Sequence, residues 1–158
     1  DQAEKGLDLN AAVDIVGNTL LILAAKKIGA ARGYNSSTLP GRFLTVLLRS
    51  GADPNAADNN RVTPLMAACG TRGRDGEDAQ LVLLEKGAGV SATDDKGRTP
   101  LMYAAGNGNT ISGRNMAEML FEFGDPLPAA VGNDRKSALD IAVEANNEEL
   151  VKYLLTKL

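Results

Sequence analysis

The chain has 158 residues, 44% of them apolar, with 17 lysines and arginines against 20 aspartates and glutamates. That size and apolar share fit one folded domain rather than a disordered chain, and a net charge of -3 supplies no electrostatic pull toward nucleic acid or an anionic membrane. Histidine is absent and Cys69 is the single cysteine, which removes internal disulfides, the usual Cys/His zinc sites and the Ser-His-Asp and Cys-His constellations, and favours a reducing compartment.

In chain order, Ala3 to Asn10 reads as the tail of a helix followed by a polar turn, so the sequence starts inside a structural unit. Thr19-Leu20-Leu21-Ile22-Leu23-Ala24-Ala25 opens the first full helix, and this apolar run falls far short of the roughly 20 residues a membrane helix needs. A stretch rich in Gly, Ser and Asn, Gly29 to Gly41, leads to a second helical run, Phe43 to Leu48. Gly51 then stops it, because glycine takes the left-handed conformation of a helix end without penalty. After the polar segment Asp53 to Val62 comes Thr63-Pro64-Leu65-Met66-Ala67-Ala68. Threonine caps a helix here and proline stands at its first position, where a missing N–H costs nothing. Gly70 to Gly76 has a superficial likeness to a phosphate loop but lacks the Gly-Lys-Ser/Thr ending and a preceding strand, and so reads as an insertion between helices.

The order then repeats. Ala79 to Leu84 is a helical run stopped by Gly87, Thr93 to Arg98 is polar, and Thr99-Pro100-Leu101-Met102-Tyr103-Ala104-Ala105 starts the next helix. Met116 to Phe121, Gly124, the polar Asn133 to Lys136, Ser137-Ala138-Leu139-Asp140-Ile141-Ala142 and Leu150 to Leu155 complete the chain. Small residues at Ala24-Ala25, Ala67-Ala68-Cys69 and Ala104-Ala105 allow neighbouring helices to approach closely.

The Thr/Ser motif recurs after 44, 36 and 38 residues, and Gly51 to Thr63 equals Gly87 to Thr99. These motifs resemble the ankyrin repeat, whose period is about 33 residues, with the excess placed between the two helices of a repeat. The resemblance covers essentially the whole chain and implies an all-α solenoid of stacked helix pairs with projecting β-hairpin or turn fingers. Expected boundaries are a partial preceding repeat and finger at 1–18, repeats at 19–50, 51–86 and 87–123, and a last repeat at 124–158 that serves as a polar C-terminal cap. The family's motif histidine is replaced by Ile22, Met66, Met102 and Asp140, so its hydrogen bond is expected to be lost and packing to substitute. Arg61 stands where the finger glycine belongs, so that turn is expected to differ. Asp58 and Asp94 are expected to make turn hydrogen bonds.

Little in the sequence suggests catalysis. Asp94-Asp95 and Glu148-Glu149 are adjacent carboxylates rather than facing pairs, Asp53, Asp58, Asp94 and Asp95 do not have calcium-loop spacing, and Cys69 falls in a small-residue stretch where a buried inert thiol is expected. The expectation is a non-catalytic monomer without metal or cofactor, located in the cytoplasm, that binds a protein partner and neither nucleic acid nor the membrane interior. The resemblance implies binding on the concave side, at the fingers and first helices: Asn60, Val62, Lys96, Arg98, Arg135 and Lys136 from the fingers, and Ala67, Tyr103, Asn107 and Ile141 from the helices. Tyr103 leads this set because a rigid amphipathic ring suits an interface hot spot. The alternative is a structural spacer or a regulatory or inhibitory segment of a larger multidomain or enzymatic protein. The resemblance also makes Asn10 and Asn55 positions at which asparagine hydroxylation is conceivable.

Overall fold

A helix pair of this composition cannot bury its own apolar face, so neighbouring pairs must stack. In the computed structural model, which describes residues 8–28, 39–72, 74–108 and 111–158, eight helices do so in two rows. The inner row holds α1 (Leu20–Ile28), α3 (Pro64–Cys69), α5 (Pro100–Ala105) and α7 (Ala138–Glu144). The outer row holds α2 (Leu39–Arg49), α4 (Arg74–Glu85), α6 (Ile111–Phe123) and α8 (Glu148–Leu155). Each inner helix packs on its own outer helix and on the inner helix of the next pair, and successive outer helices also touch.

One core runs the length of the stack. Leu21, Leu44, Leu65, Leu83, Leu101, Leu120, Leu150 and Leu154 fill it, and Ala25, Ala68, Cys69, Ala104 and Ala105 form the close approaches between inner helices. Burial pushes the Cys69 thiol pKa far up, so the sulfur stays protonated and unreactive. The insertion Gly29 to Gly41 lies outside the described residues up to position 38, and its last residues belong to α2. The first seven residues, including most of the expected helix tail, also lie outside them.

Helix starts follow local chemistry. Thr63 and Thr99 accept the Met66 and Met102 amide N–H groups at 3.3 and 3.4 Å, with proline next in line. Asp140 corrects one expectation. Its carboxylate accepts the Ser137 backbone N–H at 2.8 Å while the Ser137 hydroxyl accepts the Asp140 amide, a capping box. Hydrogen bonding is thus retained at this motif position in the last repeat, while Ile22, Met66 and Met102 are buried and pack instead.

Gly51 and Gly87 end α2 and α4 with φ of 95° and 85°. Gly124 does not share this conformation. The left-handed residue beyond α6 is Leu127, at φ 54°, and a Cβ at Gly124 would lie 2.9 Å from Val90 Cγ2, so close approach is the constraint there.

The last repeat exposes both polar and apolar side chains. Asn147 is fully buried as the N-cap of α8, whereas Val143 and Leu155 are exposed. Val143 occupies the place at which Cys69 and Ala105 are covered by a following helix pair. Among the described residues no helix is long and apolar enough to cross a membrane.

Candidate functional site

Four fingers project from the inner row, and each is a turn. Among the described residues the only β pairing is an isolated antiparallel bridge, Val131 with Ser137, so the fingers take the turn form of the expected hairpin or turn. The second, third and fourth fingers close by the same backbone bond, Asp58 N–H to Val62 carbonyl, Asp94 N–H to Arg98 carbonyl and Gly132 N–H to Lys136 carbonyl, at 3.0 to 3.1 Å. The first finger, Asp14 to Asn18, closes from Val13 N–H to the Asn18 carbonyl at 2.8 Å. One residue per finger is left-handed: Gly17, Arg61, Gly97 and Arg135, with φ between 61° and 82°. The second turn therefore keeps the shared geometry although Arg61 replaces glycine, the reverse of the sequence expectation.

Successive fingers are joined by single backbone bonds from Asn59 to Val16, Asp95 to Asn60 and Asn133 to Lys96, 2.8 to 3.0 Å. Side chains follow the glycines. Asn59 and Asn133 fold back over Gly17 and Gly97 and donate to the carbonyls of Ile15 and Asp95. Beside Arg61, which carries a Cβ, the equivalent residue is Asp95, which has no amide to donate. On the opposite turns, Asn10 and Asn55 accept from the Asp53 and Gly89 amides of the following repeat at 2.8 Å, so both expected modification positions are exposed but engaged.

A carboxylate organises each of the first three fingers. One oxygen of Asp14, Asp58 and Asp94 accepts two amide N–H groups of its own turn at 2.8 to 3.1 Å. In the third finger the other oxygen, Asp94 Oδ2, accepts Arg98 Nε–H and the Tyr103 hydroxyl, each at 2.8 Å, and the same hydroxyl accepts from Arg98 Nη2 at 2.8 Å. The guanidinium also lies 4.7 Å from the Tyr103 ring centroid. Burial disfavours the charged form of Asp94, but these donors, led by the Arg98 backbone N–H, outweigh it and hold the carboxyl below its ordinary value. Burial, reinforced by the bond to Asp94, raises the Tyr103 phenol pKa.

Two hollows flank Tyr103 along the inner row. The first, about 390 Å³, is lined by Val16, Lys26, Asp58, Asn60, Val62, Ala67 and the Tyr103 ring, among others. The second, about 360 Å³, has Arg98, Met102, Ile141, Lys136 and Glu144 on the other side of the ring. The expected site residues Asn60, Val62, Ala67, Tyr103, Arg98, Lys136 and Ile141 therefore come together here. Lys96 and Arg135 do not line either hollow; they are exposed finger residues.

Asn107 also borders the second hollow but is only 2% exposed. Its amide donates to the Cys69 carbonyl at 2.6 Å and so ties adjacent repeats together. Of the basic finger residues, Arg98 is paired with Asp94 and Lys136 with Glu144 at 2.7 Å, which raises the lysine's pKa. Sequence reasoning missed the first finger as a contributor: Ile15 is 97% exposed and Val16 lines a hollow. The signal was present in Asp14-x-x-Gly17-Asn18-Thr19, which parallels Asp94-x-x-Gly97-Arg98-Thr99.

The sequence matches the family described as ankyrin repeats in three copies, over residues 28–122 and again over 73–158. The chain belongs to the ankyrin-repeat family. No curated protein matches it. Ankyrin repeats are generally protein–protein interaction modules and are typically non-catalytic, and in this ankyrin chain the fingers and inner helices border two hollows that share Tyr103.

Proposed function

We propose that this ankyrin chain is a non-catalytic monomer that binds a protein on its concave strip. The observation that carries the reading is the pair of hollows on either side of Tyr103, each combining apolar floor with a few polar groups, the usual make-up of a recognition surface. Tyr103 and Arg98 divide the hollows as a braced wall, a preorganised element that loses little freedom on binding. Ala67 and Ile141 form floor on either side, Asn60, Val62 and Lys136 form rim, and Lys96 and Arg135 reach beyond it as steering charges.

Large charged side chains on the two floors test this. A partner captured by the wild-type chain is expected to be lost from the Ala67→Arg/Ile141→Arg double variant while circular dichroism stays unchanged. Undiminished capture by that folded variant defeats the concave-strip reading.

A further inference from the structure

The first three fingers pose the same chemical problem, the outer oxygen of a finger carboxylate, and solve it differently. In the first finger Asn18 Nδ2 donates to Asp14 Oδ2 at 2.7 Å. In the third, Arg98 and Tyr103 donate to Asp94 Oδ2. The second finger has Val62 at the position of Asn18 and Arg98, and Ala67 at the position of Tyr103; neither side chain can donate. The Asp58 side chain is 1% exposed, yet its Oδ2 is met only by Lys26 Nζ at 3.5 Å among the described residues. A buried carboxylate oxygen with one long contact is short of donors. Asp58, Lys26 and Ala67, which stands at the position of Tyr103, all line the 390 Å³ hollow.

We propose that this hollow receives a tyrosine side chain of the partner, its ring over Ala67 and its unmodified hydroxyl donating to Asp58 Oδ2 while accepting from Lys26 Nζ. The inference rests on the reading of the concave strip as the binding face and names what that face selects. The third finger is the template: there the Tyr103 hydroxyl donates to Asp94 and accepts from a cation, Arg98. Lys26 takes the cation's part. It reaches in from α1, is 40% exposed and is already oriented by a 2.6 Å bond to Asn18 Oδ1. Val62, Ala67 and the Tyr103 ring supply apolar surface for the incoming ring. Competing side chains fit less well. Phenylalanine would dry Asp58 Oδ2 without supplying a donor. Arginine would set a second cation against Lys26, and phosphotyrosine would bring a dianion against Asp58.

The probe is N-acetyl-tyrosinamide, titrated into the isotope-labelled full chain and followed by amide chemical shifts. Saturable shifts at Asn60, Val62, Ala67 and Gly70 are expected, with the phenylalanine and phosphotyrosine analogues each about fivefold weaker or worse, the cost of one unmet hydrogen bond. Ala67→Tyr should abolish binding with the thermal midpoint unchanged or raised, and Lys26→Met, which leaves the two amide bonds to Asp58 Oδ1 in place, should weaken it about fivefold. Equal affinity for the phenylalanine analogue, absence of saturable shifts at those amides, or unaltered binding by the Ala67→Tyr variant overturns the proposal. Failure of the tyrosine probe alongside lost capture by the double variant removes this inference alone. Probe binding alongside retained capture removes the concave-strip reading instead.

Discussion

The second and third fingers share a turn geometry, a left-handed residue and a carboxylate that holds two amides, yet one is chemically closed and the other open. Arg98 and Tyr103 complete Asp94, whose side chain has no exposed surface; Val62 and Ala67 leave Asp58 facing a hollow. Two side chains thus convert a structural knot into a candidate recognition site without altering the backbone beneath it. In a repeat scaffold, self-similarity supplies an internal control, and the informative positions are those where one copy lacks what another has.

Removing the two carboxylates is the most drastic way to challenge this comparison. Asp94→Ala should cost about 3 kcal/mol, since it strands two amides, a phenol and a guanidinium, whereas Asp58→Ala should cost about 2 kcal/mol because it strands fewer donors. Urea unfolding of both variants measures the gap, and equal losses would mean that Arg98 and Tyr103 add nothing to stability.

Acid sharpens the same point. The Asp94 carboxyl has a folded-state pKa below its ordinary 3.8, so its contribution is present above 3.8 and is lost as pH falls through the folded value. Asp14 and Asp140 are lowered too, chiefly by side-chain hydrogen bonds from Asn18 and Ser137. Unfolding measured between pH 5 and pH 2 should therefore show stability falling below about 3.8, and Asp94→Asn should flatten that fall.

Tyr103→Phe removes only the hydroxyl and should cost about 1 kcal/mol. No loss in its urea midpoint would show the third finger to be held by Arg98 alone. The smallest expected change concerns the turn itself. Arg61→Gly combined with Asp95→Asn recreates the glycine–asparagine pairing of Gly17 with Asn59 and Gly97 with Asn133, and should raise stability by about 0.5 kcal/mol. A decrease would mean that Arg61 makes a contribution that this pairing does not replace.

Much of the architecture was legible because it is local and periodic. Thr63-Pro64 and Thr99-Pro100 state where helices begin through a hydroxyl and a missing N–H, and Gly51 and Gly87 state where helices end. Apolar residues at helical spacing identify the buried faces. Asp58 and Asp94 were readable as turn acceptors for the same reason, since their amide partners lie two and four residues away. The candidate site was only partly legible. Ala67, Val62 and Tyr103 were placed on one strip by register, but Asn107 in the same register is buried, because its amide finds the Cys69 carbonyl on the neighbouring repeat.

By itself, then, the sequence determined the number and polarity of the stacked units, their caps and the carboxylate turns, all decided within a few residues of chain. The tertiary structure decided which of those polar groups are satisfied. Asn107 went inside to the Cys69 carbonyl of the neighbouring repeat, and Lys26 crossed from one repeat to a carboxylate 32 residues away. The physical reason is that hydrogen bonding depends on distance and direction between repeats, and the spacing of residues along the chain sets neither until the repeats are stacked.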